Sequence, residues 1–292
     1  STLLEATQKA IQTFEGAYGV GVISPKDPGH IIAARSGSPL VIGLSDKGNF
    51  IASDQMALLN ITKKFIYLEE GDIADITLDS VTIFDKDGNK VEREIITSKL
   101  KSGQVSKGKY AHYMLKEIFE QPQAIRDTLE SRITKGSVLT SAFGHNAKAI
   151  FKNTKHIQII ACGTSYHAGL VAKYWLEDIA KIPTHIEVAS EYRYRNPVIL
   201  DDTLFITISQ SGETADTLEA LKAIKKRSKK IHTLTICNSA ESSLTRESEL
   251  TFLTHAGPEI GVASTKAFTT QLVSLALLSV AIGKCHNQVS KQ

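Results

Sequence analysis

Cysteine is scarce in this chain and badly placed for pairing. The 292 residues hold three, Cys162, Cys237 and Cys285. No CxxC pair occurs, so a thiolate zinc site or a redox couple has no framework. An odd thiol count and no signal-peptide pattern lead us to expect a reducing, cytoplasmic setting. Long apolar runs are missing too. Residues 272–282 form the longest and contain two serines, short of the roughly 18 residues of a membrane span. A large charge excess is also absent, with a net charge of +3. Basic residues are scattered apart from Lys225-Lys226-Arg227 and Lys229-Lys230. That cluster reads first as a solvated helix end, with contact to a phosphate or nucleic acid as the alternative. We therefore expect no nucleic-acid and no membrane partner. No GxxxxGK[ST] loop and no GxGxxG after a strand occur, which leaves ATP and NAD unsupported. The histidines show no HExxH or comparable spacing. No metal and no cofactor are expected.

The length suggests about two domains. Near the start, Thr2-Leu3-Leu4-Glu5 has capping-box spacing, and Leu4, Ile11 and Phe14 mark an apolar helical stripe. Short strand-like runs follow at residues 19–24, 30–34, 50–53, 65–68, 72–77 and 81–84. Turns punctuate them, most clearly at residues 25–29 and 85–89. This reads as mostly antiparallel sheet with one helix, too few helices to cover both sheet faces. Residues 98–108 are polar and carry two glycines, as a linker does. Residues 113–133 form a strong helical pattern, interrupted at Pro122. Within it Lys116 and Glu120 lie one turn apart and can pair at the surface.

From His156 the pattern changes to repeated units of apolar strand, polar loop and helix. The strands fall at residues 156–161, 185–189, 203–208, 232–237 and 250–254. Continuous apolar strands alternating with helices imply a parallel sheet buried on both faces. In open parallel sheets, ligands bind beyond the carboxyl ends of the strands. The strand-to-helix loops are therefore the place to look.

Ser209-Gln210-Ser211-Gly212-Glu213-Thr214 stands out. Gly212 permits a tight turn and close backbone approach. The helix start offers bare amides and a positive partial charge, suited to a phosphate. Ser209, Ser211, Thr214 and Gln210 add neutral donors. The plainer alternative, a helix cap, needs only one hydroxyl. With no lysine in it, this loop suits a small phosphate better than a magnesium-bound triphosphate. Cys162-Gly163-Thr164-Ser165 repeats the arrangement one unit earlier. There Cys162, with no His or Lys beside it in sequence, reads as a small buried residue rather than a nucleophile. Gly261-Val262-Ala263-Ser264-Thr265-Lys266 is a third candidate, able to reach sugar hydroxyls or simply to start a helix. Glu213 has two readings, a general base or a carboxylate complementing a helix dipole.

The runs around Cys162-Gly163-Thr164-Ser165, Ser209-Gln210-Ser211-Gly212-Glu213-Thr214 and Gly261-Val262-Ala263-Ser264 resemble the sugar isomerase (SIS) domain. Together with Ala34-Arg35-Ser36-Gly37-Ser38-Pro39-Leu40-Val41-Ile42-Gly43 and Phe50-Ile51-Ala52-Ser53-Asp54, they resemble the isomerizing glutamine–fructose-6-phosphate aminotransferase family. The resemblance implies an α/β fold. A flavodoxin-like, doubly wound SIS subdomain (146–292) would follow the C-terminal part of an α+β N-terminal-nucleophile glutaminase domain (1–98), through a linker with helices (99–145). It implies that Ser165, Ser209, Gln210, Ser211 and Thr214 hold a phosphate. Cys162, Gly163, Thr164, Val262, Ala263 and Ser264 would meet the sugar. Implied partners are fructose 6-phosphate or glucosamine 6-phosphate, glutamine at a glutaminase site missing here, and a second copy in a homodimer. The pathway implied is amino-sugar biosynthesis. The family's nucleophilic cysteine has no counterpart, and Ser1 is followed by a helix cap rather than the expected strand. The second SIS subdomain, with the family's ring-opening histidine, catalytic glutamate and imine-forming lysine, is absent too. No catalytic residue is therefore assigned, and the segment alone is expected to bind but not turn over. A non-catalytic sugar-phosphate sensor is the alternative. A stand-alone isomerase would need a base, for which only Glu213 and His167 lie near.

Overall fold

The computed structural model describes residues 2–98, 106–228, 230–240 and 242–289. Ser1, Lys229 and most of the expected linker lie outside them. The chain divides into two compact units, Ser1–Ser106 and Lys107–Gln292.

The first unit opens with helix α1 (Leu3–Ile11), whose capping box is formed: the Thr2 hydroxyl accepts the Glu5 amide, and Glu5 accepts the Thr2 amide. Two antiparallel sheets follow. One runs β1 (Tyr18–Val22), β2 (Ile31–Ser36), β6 (Ile73–Ile76), β7 (Val81–Phe84), β8 (Lys90–Val91). The other runs β4 (Gly48–Ala52), β3 (Val41–Ser45), β5 (Lys64–Tyr67), β9 (Ile95–Thr97). Ala33, Ala74, Ile76 and Ile83 of the first sheet pack with Ile42 and Ile66 of the second. Leu3, Leu4 and Ile11 of α1 pack against Ile32, Ala34 and Ile73. The sheets thus cover one another, which the expectation of too few helices did not foresee. Strand β3 carried no alternating signal because its first three residues are all buried. Around Gly43 there is no room for a side chain, since a Cβ would lie 2.9 Å from Thr62.

The second unit begins with α2 (Tyr113–Leu129), a short hairpin of β10 (Ile133–Thr134) and β11 (Ser137–Val138), and α3 (Ala147–Asn153). Helix α2 runs through Pro122 instead of breaking there. Proline lacks the N–H that would reach the Ile118 carbonyl. The Gln121 side-chain amide donates to that carbonyl at 3.0 Å instead. The parallel sheet then builds from β12 (His156–Ala161), β13 (Thr184–Val188), β14 (Thr203–Ser209), β15 (Ile231–Cys237) and β16 (Leu250–Leu253). Its order is β13-β12-β14-β15-β16, with every pairing parallel. Strand two beside strand one, then three, four and five, is the flavodoxin-like arrangement.

Helices cover both faces. On one, α4 (Gly163–Trp175, extended by a wide turn to Ala180), α3 and α8 (Lys266–Cys285) enclose Leu204, Ile206 and Ile208. On the other, α5 (Ala189–Tyr192), α6 (Ala215–Arg227) and α7 (Ser243–Glu247) enclose Phe205. Every residue of β14 is buried, as a central strand requires. Among the described residues, α8 alone is long and apolar enough to cross a bilayer. It packs instead through Leu275, Leu278, Ala281 and Ile282 into the core of this unit.

Candidate functional site

Strand order fixes where a ligand can enter. After β12 the chain turns to β13 on one side, while β14 lies on the other. The pairing of β12 with β14 ends at Ala161 against Ile208, one residue before β14 itself ends. From these ends α4 leaves toward one face of the sheet and α6 toward the other. Loops that part in this way open a crevice. Cys162-Gly163-Thr164-Ser165 forms one lip and Ser209-Gln210-Ser211-Gly212-Glu213-Thr214 the other.

The second lip is shaped by its own hydroxyls. Ser209 Oγ accepts the Gly212 amide at 3.0 Å and lies 3.0 Å from Thr214 Oγ1. Ser211 Oγ accepts the Glu213 amide at 3.1 Å. Gly212 has φ +71°, and a Cβ there would lie 2.1 Å from Ser242 Oγ. Only glycine fits on both counts. Thr214 is the N-cap of α6, yet no side chain caps that helix. The capping alternative is therefore not what these hydroxyls do, and the positive end of α6 stays open. Asp216, in the first turn, would oppose an anion. Its carboxylate is paired with Arg193 Nη1 at 2.6 Å, and this bond raises the Arg193 pKa above its ordinary value.

The first lip is open in the same way. Cys162 is the N-cap of α4 and caps nothing with its thiol. Gly163 takes φ +57° with open space where a Cβ would stand. Thr164 is exposed and Ser165 buried in the first turn.

The third loop differs. At the start of α8, Glu259 Oε1 accepts the Thr265 amide at 2.9 Å and the Ala267 amide at 3.1 Å. A carboxylate already fills the position an anion would take. Ser264 Oγ is also turned to Glu259, at 3.2 Å, and Val262 stands fully in solvent. Asn238, just after β15, joins the root of this loop to the second lip. Its amide donates to the Gln210 carbonyl at 3.1 Å, its Oδ1 accepts the Ala256 amide at 2.8 Å, and its Nδ2 donates to the Gly257 carbonyl at 2.8 Å.

Residues 150–281 match the family model of the SIS domain. Residues 150–281 form a SIS domain. The chain as a whole is 55% identical over 290 residues to a glutamine–fructose-6-phosphate aminotransferase of Idiomarina loihiensis, covering 99% of this chain and 47% of that protein. It is 57% identical over 282 residues to the Pseudomonas putida enzyme of the same name, covering 97% and 46%. The chain thus spans about half the length of the curated relatives it matches. The C-terminal domain of the Francisella tularensis glucosamine-fructose-6-phosphate aminotransferase superposes with a TM-score of 0.61 and 54% identity, over 63% of this chain and 52% of that one.

Within the SIS domain, the Glu213 carboxylate is engaged by a helix other than its own. Its Oε1 accepts the Ser243 amide at 2.8 Å, at the start of α7 rather than of its own helix. Three polar residues that shape the third loop gave no signal of their own in the sequence. Asn238 is simply the residue that follows the 232–237 strand. Glu259 lies two residues before the third candidate loop, with nothing beside it to set it apart. Glu117 occupies α2, where its only mark is that it lies on the buried face with Ala124 and Thr128. In the first half of that helix Met114, Leu115, Ile118 and Phe119 are exposed.

Proposed function

We propose that these residues are the fructose 6-phosphate-binding part of an enzyme that moves the amide nitrogen of glutamine onto that sugar, giving glucosamine 6-phosphate and glutamate. One observation carries the reading: two uncapped helix starts, each entered through a glycine at positive φ and ringed by short hydroxyls, part from neighbouring strands at the switch point of the sheet. Such a start binds a phosphate through amides and the helix dipole. The names of the relatives supply the rest of the sugar and the reaction.

In this reading Ser165, Ser209, Gln210, Ser211 and Thr214 hold the phosphate. Cys162, Gly163, Thr164, Val262, Ala263 and Ser264 face the sugar, Ser264 exchanging Glu259 for a sugar hydroxyl. Residues 1–98 are the C-terminal part of a glutaminase domain, and residues 146–292 the first SIS subdomain. Glutamine is taken at the glutaminase site, and two copies pair. Three free thiols suit a cytoplasmic enzyme. Among these residues we assign no catalytic group. The purified chain binds the sugar phosphate and releases no glucosamine 6-phosphate. Calorimetry with fructose 6-phosphate tests the assignment beside Ser211→Asp, whose carboxylate repels the phosphate. Binding by the native chain and loss of about a hundredfold or more in the variant is expected. Equal binding by both removes the loop from the site.

A further inference from the structure

Helix α2 lays a polar stripe along the segment that carries the third loop. Thr128 Oγ1 donates to the Thr254 carbonyl at 2.6 Å, near the loop's root. Glu120 pairs with Lys266 Nζ at 2.7 Å, and Gln121 accepts from Thr269 Oγ1, both where α8 begins. Glu117, one turn earlier on the same face, reaches the tip. Its Oε1 accepts the Ile260 amide at 2.6 Å and the Gly261 amide at 3.0 Å. The residue is 2% exposed, and its second oxygen is buried with no hydrogen-bond partner.

A half-satisfied buried carboxylate is costly, and a core helix has no need of one. Its placement shows what it achieves. The two amides precede Val262, Ala263 and Ser264, the residues assigned to the sugar. Gly261 is fitted around the carboxylate, since a Cβ there would lie 2.6 Å from Glu117 Oε2. Glu259 fixes the far end of the same stretch. The exposed tip therefore hangs between two carboxylates, one from its own segment and one 143 residues away in sequence.

We propose that Glu117 is a positioning residue for sugar recognition, setting the backbone of residues 260–264 so that Val262 and Ser264 meet the sugar but not its phosphate. This rests on the assignment of the phosphate to the α4 and α6 lips. It separates two parts of one ligand. Loss of Glu117 should be felt by the sugar ring and not by the phosphoryl group.

The test compares fructose 6-phosphate with inorganic phosphate, by calorimetry on the full chain and its Glu117→Ala and Glu117→Gln variants. Glutamine keeps an acceptor for both amides without the charge. In Glu117→Ala we expect about tenfold weaker fructose 6-phosphate binding, with inorganic phosphate within about twofold of the native chain. Glu117→Gln should recover most of the lost affinity. Equal losses for both ligands would mean that Glu117 only supports the fold, and no loss for either would mean that it positions nothing. Either result overturns the proposal. Should alanine unfold the chain, the glutamine variant decides: selective weakening of fructose 6-phosphate sustains the proposal, and parallel weakening of both ligands, or of neither, ends it. A native chain that binds neither ligand removes the phosphate assignment itself, and this inference with it.

Discussion

Two kinds of helix start stand side by side in the second unit. At α4 and α6 the first turn is left without a side-chain cap, and glycine at positive φ turns the chain into it. At α8 the first turn is sealed by Glu259. All three follow a parallel strand and a loop rich in glycine and hydroxyls, so backbone geometry alone does not separate a ligand lip from a structural joint. The difference is whether a charge from the protein already occupies the dipole's positive end. In the proposed reading the open starts take the phosphate, and the filled one leaves its loop to present Val262 and Ser264 to the sugar.

The comparison breaks most severely at Gly212. Replacing it with valine puts a Cβ against Ser242 and forces φ +71° on a branched residue. We expect a loss of roughly 2–4 kcal/mol of stability in urea unfolding, and no phosphate binding. Emptying the filled start is a milder change. Glu259→Ala removes the carboxylate from two amides and should cost about 1–2 kcal/mol, read by the same unfolding curves. Phosphate affinity at the open lips should stay unchanged by calorimetry. Smaller still, Ser165→Ala and Thr214→Ala each remove one neutral donor. About fivefold weaker fructose 6-phosphate binding is expected from each, near 1 kcal/mol.

The smallest effect concerns the root of the third loop. His255 has φ +53°, and partial desolvation first, then the neighbouring Arg132, holds its pKa below the ordinary 6.5. The unfolded chain therefore binds this proton more readily, and stability falls as pH drops below about 6.5. His255→Asn removes the proton and suits the left-handed backbone. Between pH 7 and pH 5 the native chain should lose more stability in thermal melts than this variant does.

Much of the second unit was legible in the sequence because its signals are local. An apolar run such as residues 203–208, followed by Ser, Gly and Thr, announces both a buried strand and an open helix start. The strand order then follows from short parallel connections and sheet twist. What was not legible acts at a distance. Glu117 meets Gly261 across 144 residues, and nothing near either position marks the pairing. Asn238 joins the Gln210 and Gly257 carbonyls through ordinary turn chemistry, which reads the same whether or not a site lies beside it. Pro122 misled because its missing hydrogen bond is replaced by a neighbouring side chain. In the first unit β3 was hidden because a buried strand loses its alternation.

The most direct test follows backbone amide resonances of the full chain while fructose 6-phosphate is added. Open starts that bind the phosphoryl group should show saturable shifts at residues 163–165 and 211–217, while the Thr265 and Ala267 amides, held by Glu259, should move little. Saturable shifts centred on Thr265 and Ala267, with residues 211–217 silent, would contradict the account.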